Sequence, residues 1–191
     1  VIFTKDLSEE SKEQQLSFDL TLYGDTFYRL RPFDVKRLAP YADMILLMAY
    51  DFNKSRSNPG PNFPLRGLTT YGYDMGKMAD DFLRIVPNKK LTVVFGLFGY
   101  DWMVDTNGKA TAQGEPLTLL QIQSTFLTDC TLRDCIVKRD PLSAETVVHY
   151  TDEDNKKHIV WFEDIHSVAT KEEFLRKKGI VNFSFWANSY F

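Results

Sequence analysis

Cysteine is scarce in this 191-residue chain, with Cys130 and Cys135 as the whole supply. Two cysteines exclude a multi-disulfide framework and a four-thiolate zinc site. On a continuous helix a five-residue offset turns two side chains roughly 140° apart, at about 100° per residue. A bridge would need a helix end between them, so both are expected to be free. Histidine is equally sparse, and His149, His158 and His166 share no face and no neighbouring cysteine; no metal site is expected. No run approaches the roughly 18 apolar residues of a membrane span. No charge dominates either: 23 Lys and Arg stand against 26 Asp and Glu, a formal net charge of −3. That balance speaks against a nucleic-acid or anionic-membrane partner. Gly96 and Gly99 lack the third glycine of a dinucleotide loop, and no cofactor is expected. Val1 is not an initiator Met and no signal segment follows it. The chain is therefore expected to be mature, processed or cut from something longer.

Aromatic residues are in surplus, at 14% of the chain with 15 Phe, 9 Tyr and 3 Trp. Such side chains fill cores, and they also suit a site that packs against flat ligands such as sugar rings. The elements alternate. Leu16–Leu22 reads as a half-buried strand and Pro32–Leu38 as a short helix. Asp43–Asp51 (DMILLMAYD) and Leu91–Tyr100 (LTVVFGLFGY) are near-continuous apolar runs, expected to be strands buried on both faces. Between them lie a long loop, Asn53–Pro64, and a helix over Tyr73–Val86 that Pro87 ends. Thr170–Glu173 reads as a capping box opening a helix that Gly179 closes, and Ile180–Trp186 as the last strand. Strand, crossover helix and strand make parallel βαβ units, so the fold class is α/β. Asp101–Asp164 interrupts the pattern with a helix near Leu117–Thr128 and an antiparallel hairpin, Glu145–Tyr150 with His158–Phe162. Residues 1–100 and 165–191 are read as the main unit and 101–164 as an α+β insertion.

Parallel sheets collect function at the carboxyl ends of their strands. Three ends here carry Tyr, Trp and Asp: Tyr50-Asp51, Tyr100-Asp101-Trp102, and Trp186 with Asn188. Asp is common where a strand meets a loop, but the same chemistry at three ends points to a ligand-handling rim. The sequons at Asn53 and Asn182 do not rise above chance, and the charges of Lys171–Lys178 read as a solvated helix face.

DMILLMAYDF followed by GPNFPL resembles the sixth strand and following loop of glycoside hydrolase family 18, the chitinase-like barrels. LTVVFGLFGYDW is similar to that family's seventh strand, and HIVWFEDIHSVATKEEFLRKKGIVNFSFW to its closing segment. The wording is closest to the spore-cortex and cell-wall branch, which acts on N-acetylglucosamine polymers. The resemblance covers Leu16 to Phe191. It implies a (β/α)8 TIM-barrel type of fold of which the chain holds strands five to eight, with the insertion between the seventh strand and the last helix. Length agrees, because a barrel unit takes about 31 residues and the chain without Asp101–Asp164 is about four units long.

The resemblance also implies chemistry. In this family the substrate's own N-acetyl oxygen attacks the anomeric carbon, so the enzyme supplies no nucleophile. Tyr50 matches the tyrosine that holds the acetamido group, and Asp51 the neighbouring sugar-contacting acid. Trp186 matches the indole floor under the sugar. Met48, Tyr100, Asp101, Trp102, Trp161 and Glu163 are expected to bind substrate, with a purely structural job as the other reading of Trp161. The family's general acid is the Glu of a D-x-x-D-x-D-x-E run, which occurs nowhere here. The chain is expected to begin just downstream of it and to be inactive alone. Two classes of function follow: part of a secreted or envelope β-1,4-glycosidase, or a non-catalytic saccharide-binding or partner-binding protein on the same scaffold. The expected partners are an N-acetylglucosamine polysaccharide and the missing half-barrel or a second copy.

Overall fold

The computed structural model describes residues 1–187; Asn188, named above with Trp186, lies outside the described residues. Two sheets organise the chain. The first is parallel and contains β1 (Leu20–Tyr23), β2 (Ile45–Ala49), β3 (Leu91–Gly96) and β9 (Asn182–Trp186), in the order β1-β2-β3-β9. The second is antiparallel and contains β4 (Phe98–Val104), β5 (Glu115–Thr118), β6 (Arg133–Arg139), β7 (Thr146–Thr151) and β8 (Lys157–Phe162), in the order β5-β4-β8-β7-β6. Helices α1 (Ile2–Glu13), α2 (Val35–Leu38), α3 (Leu68–Tyr71), α4 (Met75–Leu83), α5 (Leu119–Ile122) and α6 (Ile165–Lys177) complete the order. None is long and apolar enough to cross a membrane.

The apolar run of β2 does not bury both faces. Ile45, Leu47 and Ala49 are fully buried while Leu46 and Met48 are half-buried. One face of the sheet packs on α4 through Met75, Met78, Ala79 and Phe82. On the other face Tyr23, Met48, Val94 and Ser184 stand in register across four strands, and Tyr23 and Trp186 are exposed. The sheet is therefore covered by helices on one side only.

Leu91–Tyr100, read as one strand, is two. Leu97 breaks it, so β3 ends in the parallel sheet and β4 begins in the antiparallel one. Tyr100, Asp101 and Trp102 thus belong to the second sheet. The expected hairpin is present as β7 and β8 around the Asp152–Lys156 turn. Strands β5 and β6 lacked a clean alternation and were not expected. The cysteines are bonded, not free: the helical turn continuing α5 ends at Leu127, and Cys130 lies beyond it, opposite the start of β6. The helix end that a bridge required is there. Helix α6 starts earlier than Thr170. Asp164 caps it by accepting from the His166 and Ser167 amides at 2.9 and 2.8 Å, and Thr170 sits inside, its hydroxyl donating to the His166 carbonyl.

Candidate active site

The carboxyl ends of β2, β3 and β9 meet at one rim. Gly96 makes this close approach: a Cβ there would stand 2.3 Å from the Phe98 ring and 3.0 Å from the Tyr50 Cβ. In that gap the Tyr50 ring stacks on the Trp186 indole, centroids 6.3 Å apart and planes 19° apart. Phe98 meets Tyr50 edge-on at 6.0 Å and Tyr100 at 5.7 Å. Burial raises the Tyr50 phenol above its ordinary value, helped by the Asp51 carboxylate and the nearby Tyr23. It therefore keeps its proton and can donate to a carbonyl oxygen.

Asp51 follows with a left-handed backbone, φ 58°. Its amide donates to Asn62 Oδ1 at 2.7 Å, and its carboxylate accepts from the Tyr100 hydroxyl at 2.8 Å. The rim thus joins Tyr50, Asp51, Tyr100 and Trp186. Met48 lies half-buried one row below, on the uncovered face beside Tyr23. Trp161 pairs with Tyr100 across β4 and β8, so both point to the same side of the antiparallel sheet. It lines a groove of about 330 Å³ with His149, Ile159 and Pro59.

Three expected substrate contacts are elsewhere. Strand alternation turns Asp101 to the opposite face, where it accepts from the Tyr150 hydroxyl and pairs with His158 Nδ1 at 2.9 Å. Trp102 is fully buried, donates to the Ser55 carbonyl at 3.0 Å, and packs against Gly114; it anchors the Asn53–Pro64 loop. Glu163 follows the end of β8 and is fully buried against Lys171. Burial pushes its carboxyl up to about 8, with the Glu145 carboxylate adding and the Lys171 ammonium opposing.

Sequence reasoning missed Asn62, Glu145, Lys171 and Tyr23. Lys171 was read as a solvated charge, yet it is fully buried and donates to Glu145 Oε1 at 2.7 Å as well as to Glu163. Tyr23 is exposed at the end of β1, with the Arg31 guanidinium 4.1 Å above its ring. Its place beside Tyr50 depends on strand register, which one sequence does not print.

An aromatic-acid rim at the carboxyl ends of parallel strands fits barrels and open α/β sheets alike, and superposition on solved structures assigns this one to the TIM-barrel type. A Group IV chitinase of Ostrinia furnacalis, solved in complex with allosamidin, superposes with a TM-score of 0.81 at 18% identity, over 98% of this chain and 54% of that one. A family 18 N-acetylglucosaminidase from Paenibacillus barengoltzii gives 0.78 at 13% identity, over 98% and 57%. The model of the glycosyl hydrolases family 18 matches residues 1–190, and the chain belongs to that family. The cortical fragment-lytic enzyme of Bacillus subtilis (strain 168) is 25% identical over 156 residues, 80% of this chain. The chain spans 33% of that relative's length.

Proposed function

We propose that this chain forms the floor and one wall of a cleft for β-1,4-linked N-acetylglucosamine polymers, chitin or peptidoglycan. The supporting observation is the Tyr50–Asp51–Tyr100–Trp186 rim, in which a protonated phenol, a carboxylate and an exposed indole converge. Trp186 supplies an apolar plane for the C–H face of a sugar. Tyr50 donates to the acetamido oxygen and fixes it below the anomeric carbon, which lowers the entropic part of the barrier. Asp51 is the neighbouring acid that contacts the sugar, its carboxylate oriented by the Tyr100 hydroxyl. The sugar's own carbonyl oxygen then forms the bond to the anomeric carbon as the protonated leaving oxygen departs. Water afterwards attacks that carbon from the face the leaving group vacated, breaking the new C–O bond; the two inversions together retain configuration. Trp161 walls the neighbouring position.

The proton for the leaving oxygen comes from outside these 191 residues, because no D-x-x-D-x-D-x-E run is among them. The four parallel strands then act as strands five to eight of a barrel, residues 98–164 as its insertion, and the uncovered face meets the remaining strands. Secretion or envelope location goes with such substrates. The second reading is a saccharide-binding protein without catalysis on the same scaffold, and the residue at the acid position of a longer polypeptide discriminates the two.

A longer polypeptide that contains this chain and the acid motif tests the first reading. It is expected to hydrolyse chitotetraose with retention, and Tyr50→Phe to lower the rate about 10²–10³-fold. Inversion, or no product from a folded protein, would contradict it. The 191 residues alone are expected to release nothing.

A further inference from the structure

We infer that Asn62 is the positioning residue of this rim, and that its own place is set by the buried Glu145–Lys171 pair; the inference rests on the sugar-cleft reading above. Asn62 is nearly inaccessible, at 2% exposure, although it belongs to an Asn, Ser, Gly and Pro-rich loop. Every polar group it owns is engaged. Its Oδ1 accepts from the Asp51 amide at 2.7 Å, its Nδ2 donates to the Gly96 carbonyl at 3.0 Å, and its carbonyl accepts from the Phe52 amide at 2.7 Å. Its own amide donates to Glu145 Oε2 at 2.6 Å, and the next amide, of Phe63, to Glu145 Oε1 at 2.8 Å. The side chain thus links the exits of β2 and β3, and the backbone amide ties the same residue to Glu145 just before β7.

The link falls where the backbone needs it. Asp51 is a non-glycine residue in the left-handed region, which persists only when its surroundings over-determine it. Asn62 Oδ1 accepts from the amide of that residue and holds it. That fixes the turn after Tyr50 and aims the Asp51 carboxylate at Tyr100. Through Gly96 the same amide group sets the spacing between β2 and β3, the gap that Tyr50 and Trp186 share. Asn62 acts on the rim through the Asp51 amide and the Gly96 carbonyl, and its role is to hold Tyr50 and Asp51 at the separation the sugar needs.

The measurement is binding of two β-1,4 tetrasaccharides to the full chain, chitotetraose and cellotetraose, which differ in the acetamido group. Wild type is expected to prefer chitotetraose. Asn62→Ala is expected to shrink that preference at least about tenfold, while cellotetraose, held by stacking on Trp186, keeps its affinity. Asn53→Ala is the control: Asn53 Nδ2 braces the same loop by donating to the Pro61 carbonyl, 2.8 Å away. It is expected to leave the preference intact. If Asn62→Ala does not fold, Asn62→Ser carries the same comparison with a shorter hydroxyl in place of the amide. An unchanged preference in a folded Asn62 variant, or an equal loss in Asn53→Ala, overturns the assignment of Asn62 and leaves the cleft standing. A wild-type chain that binds neither sugar, or both equally, overturns the cleft reading and this inference with it.

Discussion

Two tryptophans separate ligand chemistry from packing. Trp186 is 52% exposed and stacks on the Tyr50 ring, whereas Trp102 is completely enclosed and pins the Asn53–Pro64 loop through Ser55. Trp102→Ala is expected to lose about 3–5 kcal/mol of stability in urea unfolding, as large buried aromatics do. Trp186→Ala is expected to stay within about 1 kcal/mol of wild type and to lose sugar affinity instead. Glu163 gives a pH signature. Its carboxyl ordinarily titrates near 4.5 and burial raises it to about 8 in the folded chain. Between those values the folded chain keeps a proton that the unfolded chain has released. Its contribution to stability is therefore full below about pH 4.5 and fades as the pH rises through about 8. Thermal unfolding across that window is expected to show a decline, and Glu163→Gln to flatten it. Residue types were legible here in part: Tyr50, Asp51 and Trp186 stand out at the ends of apolar runs. Glu163 and Lys171 were not, because a buried hydrogen bond between residues 8 apart looks in sequence like any charged helix surface.

Elements followed the pattern where one periodicity dominated. The α4 stripe of Met75, Met78 and Phe82 was plain, and so was the β7–β8 hairpin. The boundary between the sheets was hidden, because β3 and β4 are both apolar and only Leu97 separates them. That one-residue break reassigned Asp101 and Trp102, since alternation restarts in a new sheet. The start of α6 was misread because Thr170–Glu173 also fits a cap. The true cap, Asp164, also takes Arg139 at 2.8 Å and the Thr146 hydroxyl at 2.8 Å. Asp164→Ala is expected to cost about 2 kcal/mol, read by urea unfolding, from lost cap bonds and an unpaired neighbour. The Cys130–Cys135 bridge closes a short loop at the edge of the second core cluster. Its reduction is expected to cost about 2 kcal/mol in the chain-entropy model and to leave the rim's sugar affinity unchanged.

At the scale of the molecule, the parallel sheet carries helices on one face and leaves Tyr23, Met48, Ser184 and Trp186 open on the other. Parallel sheets are ordinarily covered on both faces, and β1 and β9 are both edge strands. The 191 residues alone are expected to elute from gel filtration above monomer size, and a clean monomer would count against the half-barrel reading. The central claim is that the strand ends form a sugar cleft, and titration of the chain with chitotetraose, followed by residue-resolved NMR, tests it most directly. The expected result is a set of saturable shifts at Tyr50, Asp51, Tyr100 and Trp186, with Asp101 and Glu163 undisturbed. Shifts confined to other surfaces, or none at millimolar sugar, would contradict it.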